Sequence, residues 1–254
     1  EALNDDRFSL YYQPVVSLND AHYEYFEVLL RMRLPDEEIV YPNAFLSAAD
    51  RLGFSIDVDY LVIQKAMRKI AEFKAEGRKL RLSINLTARA FAAPDLVSVI
   101  EQGIKKYDIE PEQLVFEITE QTVMRQLDHA RERITELSGI GCQFALDDFG
   151  ANFSSFSYLK HLPVDILKID GDFVADMADD PVDQTMVQAM VTIAKTLKKQ
   201  TVAKYVEDLA TLDLLRKYGV DYVQGYYFSK PEPVLNVDSY HNAHEKLSSN
   251  VIHL

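Results

Sequence analysis

The feature that most constrains the fold is a regular alternation of short apolar segments with amphipathic helical segments. Eight apolar segments have the length and composition of β-strands: 8–16, 23–33, 80–86, 114–119, 142–149, 165–170, 200–206 and 220–228. Helical periodicity lies between most of them, at 57–75, 93–106, 121–138, 184–198 and 209–217. This alternation predicts a parallel-rich α/β sheet. Eight strands in about 230 residues favour one (β/α)8 barrel over two small domains.

The two ends of the barrel region depart from this regular pattern. Only the segment "SLNDAH" joins the first two strands, which is too short for a helical crossover, so they should pair antiparallel. The predicted fold is therefore a modified TIM-like (β/α)8 barrel with an antiparallel first strand. A short helix is predicted at 236–248, with His241 and His244 at i, i+3 spacing. Because no third ligand is nearby in sequence, a solvated tail is favoured over a metal site.

Composition excludes several classes of function. The chain of 254 residues has no apolar run near the ~18 residues of a membrane span, and no secretory signal opens it. The single cysteine, Cys142, should be a buried thiol in a cytoplasmic, reducing compartment. The net charge of −13 argues against duplex nucleic acid as a partner. A phosphate ligand would need local cations, amide donors or a bound metal.

Nearly every predicted strand carries one charged or amide side chain in its apolar run. These residues are Glu27, Asn85, Glu117, Asp147, Asp148, Lys168, Lys204 and Gln224. In a barrel the carboxyl ends of the strands converge on one mouth, so we expect these side chains to meet. Carboxylate and amide oxygens suit Mg²⁺, Mn²⁺ or Ca²⁺, and adjacent aspartates can reach two metals for phosphoester hydrolysis. Independent ion pairs and helix caps are the structural alternative.

Six ordered motifs resemble those of one family. They read "YYQPVV", "FEVLLRM", "SINLT", "FEITE", "LDDFGANFSSFSYLKHLPVDILKID" and "VQGYYFSKPEP". Together they resemble the EAL-domain family, which includes phosphodiesterases that hydrolyse cyclic di-GMP to the linear dinucleotide. The signature position is Glu27-Val28-Leu29, which reads "EVL" here. The resemblance implies one EAL-like domain over 1–254, with a core at about 8–233 and a helical tail at 234–254.

The resemblance also implies roles for individual residues. The family's metal positions fall on Glu27, Asn85, Glu117, Asp147 and Asp148. Its lysine near the attacking water falls on Lys168, and Glu120 matches the glutamate that anchors the loop after Asp148. Positions that contact the dinucleotide, with the neighbouring polar and aromatic residues expected to join them, are Gln13, Leu29, Arg31, Asp59, Asn85, Asp147, Tyr205 and Gln224.

Lys204 is the main departure from the family pattern. Active members read roughly "AEGVE" where this chain reads "AKYVE", so a glutamate of the metal centre is missing. An ammonium ~4 Å from a divalent ion would repel it by several kcal/mol, whereas it could pair with Asp147 or Glu117. We therefore interpret Lys204 as a substitute for the metal, and Glu27, Lys168 and the metal positions as vestigial. The alternative is that Lys204 packs its stem inside and extends its ammonium to solvent.

Tyr205 replaces a family glycine, and either stacking on a guanine or plain packing would explain it. The leading hypothesis is a degenerate EAL domain that binds cyclic di-GMP, without a required cofactor, and relays its presence to a protein partner. Similarity to FimX-type receptors implies control of type IV pili and twitching motility, with a PilZ-type adaptor as partner. It also implies a position at the C-terminal end of a larger signalling protein. A homodimer is a further expectation. The alternatives are a slow phosphodiesterase that uses Mg²⁺ or Mn²⁺, and a scaffold that binds no nucleotide.

Overall fold

One continuous sheet organises the molecule. The computed structural model describes residues 7–19, 24–151, 156–235 and 240. In these residues the strands are β1 (Phe8–Pro14), β2 (Val16–Ser17), β3 (Glu24–Arg33), β4 (Ile39–Val40), β5 (Leu80–Asn85), β6 (Leu114–Thr119), β7 (Gln143–Phe149), β8 (Ile166–Ile169), β9 (Gln200–Ala203) and β10 (Tyr222–Val223). Their spatial order is β1-β3-β5-β6-β7-β8-β9-β10-β2, with β4 beside β3.

The first chain segment closes this sheet into a barrel. β1 pairs antiparallel with β3, from Phe8 opposite Met32 to Pro14 opposite Phe26. One residue later, β2 pairs antiparallel with β10 at the far end of the strand order. From β3 through β10 the neighbours along the ring are parallel. The prediction of a TIM-like barrel with an antiparallel first strand is confirmed.

Helices cover the outside of the ring. They are α1 (Pro42–Arg51), α2 (Ser55–Ala75), α3 (Ala88–Ala92), α4 (Leu96–Tyr107), α5 (Glu120–Arg125), α6 (Leu127–Ile140), α7 (Pro181–Thr196) and α8 (Leu209–Tyr218). Side-chain oxygens of Thr87, Thr119, Asp180 and Asp208 cap four of these helices, as expected for residues that accept from free helical N–H groups. Among the described residues, no helix is both long and apolar enough to cross a bilayer.

Several predicted boundaries were wrong. The helix predicted at 121–138 is two helices, because Gln126 leaves helical geometry at φ −147°. The strand predicted at 220–228 is reduced to β10, because Gly225 turns against the backbone of Val206, where a Cβ would lie 2.0 Å from the carbonyl oxygen. Three further elements, β4, α1 and α3, were not predicted from the sequence. The predicted tail helix, with His241 and His244, lies outside the described residues except Tyr240, which packs on Phe26.

Cys142 is buried and makes no disulfide. Burial raises the pKa of its thiol to about 12, so the side chain is a protonated, packed group at neutral pH. This matches the predicted buried thiol.

Candidate functional site

The polar residues of the strands form one layer inside the barrel. A layer of interior apolar residues, made by Val15, Tyr25, Val115, Ala145, Ile166, Val202 and Tyr222, fills the ring below them. Side chains of a strand alternate between its two faces, so the residue two positions further along faces the same interior. Two residues beyond Tyr25, Val115, Ala145, Ile166, Val202 and Tyr222 are Glu27, Glu117, Asp147, Lys168, Lys204 and Gln224. Gln13 lies two residues before Val15, since the first strand runs the other way.

Lys168 is the centre of this polar layer. Its side chain is 1% exposed, and its Nζ donates to both oxygens of Glu117 at 2.7 Å and to Oε2 of Glu27 at 2.8 Å. Burial disfavours the ammonium, but Glu117 and Glu27 raise the pKa of Lys168 well above its ordinary value. Lys168 is therefore a charged counter-ion shared by two buried carboxylates.

The two carboxylates differ in their surroundings. Burial opposes ionisation of Glu27, but Lys168 and hydrogen bonds from Gln224 and Asn85 lower its pKa to about 2. Burial and the negative charge of Glu27 raise the pKa of Glu117 above its ordinary range. Glu27 is thus the firmly ionised member of the pair.

Glu27 also organises the amide side chains around it. Its Oε1 accepts from Asn85 Nδ2 at 2.9 Å, and its Oε2 accepts from Gln224 Nε2 at 2.8 Å. Gln224 Nε2 also donates to Oε1 of Gln13 at 3.1 Å. The Oε1 of Gln224 is buried without a hydrogen-bond partner in the described part of the chain. A ligand that donates a hydrogen bond to this oxygen would satisfy it.

Lys204 forms a second ionic group beside the first. Its Nζ donates to Oδ1 of Asp147 at 2.7 Å and to Oδ1 of Asp148 at 2.6 Å. Burial would lower the pKa of Lys204, but Asp147 raises it well above the ordinary value, so the ammonium is charged. The expected pairing with Asp147 is confirmed, whereas Glu117 is paired with Lys168 instead.

Above these groups lies a cavity of about 670 Å³, a volume typical of small-molecule sites. Every residue predicted to contact a ligand lines it: Gln13, Leu29, Arg31, Asp59, Asn85, Asp147, Tyr205 and Gln224. Lining residues that were not predicted from the sequence include Tyr41, Thr87, Glu207 and Tyr226. Tyr41 could have been found, because it precedes a proline at the first position of α1, which is a helix-start signal.

Arg31 and Asp59 lie in the wall of this cavity. The guanidinium of Arg31 stacks 4.5 Å from the ring centre of Tyr41 and donates to the carbonyl of Leu30 at 2.8 Å. Oδ2 of Asp59 accepts from the hydroxyl of Thr87 at 2.6 Å and from its N–H at 3.0 Å. Burial raises the pKa of Asp59 to about 6. The wall thus offers one cation and one carboxylate.

Tyr205 stands at the rim of the cavity and is 56% exposed. Its ring packs directly on Gly171, where an added Cβ would lie 1.7 Å from Cδ2 of the ring. Its φ of +58° is in the left-handed region, which favours glycine. The tyrosine therefore carries backbone strain while its ring remains open to a ligand.

Glu120 reaches the chain that follows Asp148. Its Oε2 accepts from the N–H of Gly150 at 3.2 Å, and its Oε1 accepts from the hydroxyl of Tyr158 at 2.6 Å. Both contacts are buried. Glu120 therefore links Gly150 to Tyr158.

The donor groups do not fit a divalent cation as they are arranged. Glu27 accepts from Asn85, Lys168 and Gln224, and the aspartates are engaged by Lys204. Within the described residues, no group of three or more His, Cys, Asp or Glu side chains is placed to hold a metal ion. A cation at Asp147 would meet the ammonium of Lys204.

Most of the chain matches one protein family and several curated relatives. A family model described as "EAL domain" matches residues 1–231. The chain is 33% identical over 236 residues to cyclic di-GMP phosphodiesterase PdeF of Escherichia coli, covering 93% of this chain and 31% of that protein. It is 34% identical over 233 residues to signaling protein YkoW of Bacillus subtilis, covering 92% and 29%. The chain thus spans about a third of these curated relatives.

Solved structures show the same architecture. The FimX EAL domain from Pseudomonas aeruginosa bound to c-di-GMP has a TM-score of 0.87 at 31% identity, over 92% of this chain and 95% of that one. The PaMucR phosphodiesterase in complex with c-di-GMP, from Pseudomonas aeruginosa, has a TM-score of 0.86 at 33% identity over the same shares.

Proposed function

This chain belongs to the EAL domain family, and from that premise we propose that it is a cyclic di-GMP receptor that binds the dinucleotide without hydrolysing it. The observation that carries the proposal is the ammonium of Lys204, 2.7 Å from Asp147 and 2.6 Å from Asp148. It supplies a fixed positive charge where these carboxylates would otherwise need a cation. Binding would then require no metal.

The cavity offers complementary groups for such a ligand. Arg31 presents a guanidinium suited to a phosphodiester oxygen, and ionised Asp59 can accept from guanine N–H groups. The unpartnered Oε1 of Gln224 can accept from a further donor. Tyr205, exposed at the rim, provides a ring for base stacking, which is worth ~1–3 kcal/mol per base.

A slow phosphodiesterase that uses Mg²⁺ or Mn²⁺ is the second candidate. It is favoured by relatives named as cyclic di-GMP phosphodiesterases at 33–34% identity and by the presence of Glu27, Asn85 and Glu117 in the barrel mouth. For this function Lys204 would have to leave Asp147.

The finer parts of the receptor proposal concern signalling. We propose that the receptor relays the signal to a protein partner, with a PilZ-type adaptor and a role in type IV pilus or twitching motility as the resemblance to FimX-type receptors implies. Solved FimX EAL domains share 28–32% identity with this chain. A nucleotide-independent scaffold is the competing role. It predicts undetectable affinity for cyclic di-GMP in chelator and in metal.

Calorimetric titration of cyclic di-GMP, in EDTA and then in Mn²⁺, separates these functions when the nucleotide is recovered and chromatographed. We expect binding in EDTA and intact nucleotide in both buffers. Linear product that appears only with Mn²⁺ would establish the phosphodiesterase instead. An Arg31→Ala variant should weaken binding in both buffers, which localises the signal to this cavity.

A further inference from the structure

A second pocket of about 290 Å³ lies between α3, α5 and α6. Its charged lining residues are Arg89, Arg125 and Arg133, and its apolar lining includes Phe91 and Ala130. None of the described lining residues is acidic. In a chain of net charge −13, this pocket is a local concentration of cationic groups.

The arginines are only partly neutralised by the protein itself. Arg89 pairs with Asp50 at 2.8 Å, and Arg133 pairs with Glu136 at 2.9 Å. Arg125 is exposed and makes no ion pair within the described residues. A net positive charge therefore remains, and guanidinium groups bind carboxylates with two parallel hydrogen bonds.

The apolar lining distinguishes among anionic ligands. Phe91 forms the buried floor of the pocket and packs edge-on against Phe144, with ring centres 6.4 Å apart, and the exposed Ala88 and Ala92 continue this apolar surface toward solvent. An inorganic anion would leave that surface uncovered. A peptide with acidic and apolar side chains would cover it while its carboxylates meet the arginines.

We propose that this pocket is the docking site for an acidic, partly apolar segment of a partner protein. The rest of an acidic chain repels such a segment, so charge complementarity orients it toward this pocket. This inference deepens the proposed function, because it gives the receptor an output surface.

Two short helices connect this pocket with the cavity. Thr87 lines the cavity, donates to Asp59, and caps α3 by accepting from the N–H of Ala90 at 3.2 Å. Arg89 and Phe91 of that helix line the second pocket. A ligand that engages Asp59 therefore acts on the cap of one pocket wall.

The other wall is built in the same way. Thr119 lines the cavity and caps α5, and its hydroxyl lies 2.9 Å from that of Thr122, which lines the second pocket. Both walls thus begin at the proposed nucleotide site. Nucleotide bound there should tighten peptide binding, and thermodynamic linkage requires the reverse effect to be equal.

The probe for this site is a fluorescein-labelled peptide that alternates glutamate and leucine, followed by fluorescence anisotropy on the whole chain without nucleotide. Arg125→Glu should weaken binding by about tenfold or more. Arg131→Glu is the matched control, since Arg131 is exposed on the neighbouring helix α6, lies outside the pocket, and undergoes the same charge change. No binding to the parent chain, or equal losses in the two variants, would overturn the site. Equal binding of a leucine-free glutamate peptide would show that the pocket recognises negative charge alone, and would overturn the proposal of a partly apolar partner segment.

The coupling is tested by repeating the titration with saturating cyclic di-GMP. Peptide affinity should rise about fivefold or more, the lower range of allosteric coupling. Unchanged affinity, with calorimetry showing nucleotide bound, would overturn the coupling. Absence of nucleotide binding would refute the proposed function instead, while the comparison of Arg125→Glu with Arg131→Glu still decides the pocket.

Discussion

Exchanging Lys204 for glutamate should create a divalent-cation site in the barrel mouth. The change removes an ammonium that lies 2.7 Å from Oδ1 of Asp147 and adds a carboxylate to a group rich in oxygen ligands. Lys204→Met separates the two effects, because it removes the charge and adds no ligand. Glu27, Asn85 and Glu117 are unchanged in both variants.

The distance between Lys204 and Asp147 determines how strongly the ammonium would repel a bound cation. A Mn²⁺ or Mg²⁺ ion bound to Oδ1 of Asp147 at about 2.1 Å would lie within about 4–5 Å of the ammonium. At an effective dielectric of ~20, the two charges of the ion are then repelled by about 7 kcal/mol, or about 3.5 kcal/mol for each unit of charge. Even half of that repulsion corresponds to a few hundredfold in affinity. Lys204→Met should therefore bind Mn²⁺ at least a few hundredfold more tightly than the parent, and Lys204→Glu more tightly still.

Titration with Mn²⁺, followed by the electron paramagnetic resonance signal of free Mn²⁺, measures these affinities directly. Lys217→Glu is the control, because Lys217 is exposed on α8 outside the cavity and undergoes the same charge change. If Lys204→Met gains less than about tenfold in Mn²⁺ affinity, the ammonium does not compete with the ion, and the interpretation of Lys204 as a metal substitute is wrong.

Three further predictions concern stability and affinity. Lys168→Met removes the cation shared by Glu27 and Glu117 and should lower the free energy of unfolding by about 3–5 kcal/mol at pH 7. The unpaired carboxylates would have raised folded-state pKa values, so denaturant titrations should show a smaller loss of stability toward pH 4. A loss that is the same at both pH values would contradict the role of Lys168 as their counter-ion. Burial raises the pKa of Asp59 to about 6. Its contribution to the free energy of unfolding, up to about 3 kcal/mol, is therefore present below pH ~4 and is lost as the pH rises through 6. Asp59→Asn should abolish this dependence of stability on pH in denaturant titrations. Tyr205→Gly should change the free energy of unfolding by no more than about 1 kcal/mol from that of the parent, because relief of the positive φ offsets the lost packing. The same variant should bind cyclic di-GMP about 5–100-fold more weakly by calorimetry. Unchanged affinity would exclude stacking of the ring on a base.

Local patterns in the sequence were sufficient to predict the barrel and the members of its polar layer. The order of strands and helices follows from apolar periodicity, and the antiparallel first strand follows from the length of one connection. Glu27, Glu117 and Lys168 interrupt apolar runs, and because side chains alternate along a strand, each of them lies on one defined face of its strand. Which residues face the barrel interior was therefore largely contained in the sequence.

Only the tertiary structure decided which charges meet. Lys168 lies between Glu27 and Glu117, and Lys204 lies between Asp147 and Asp148, because strand register and stagger set the distances between residues far apart in the chain. Sequence alone allowed Lys204 to pair with either carboxylate group. The connection of the two pockets through α3 and α5 has the same origin, since each helix is too short to show a periodic pattern and forms where the barrel and its cap hold it.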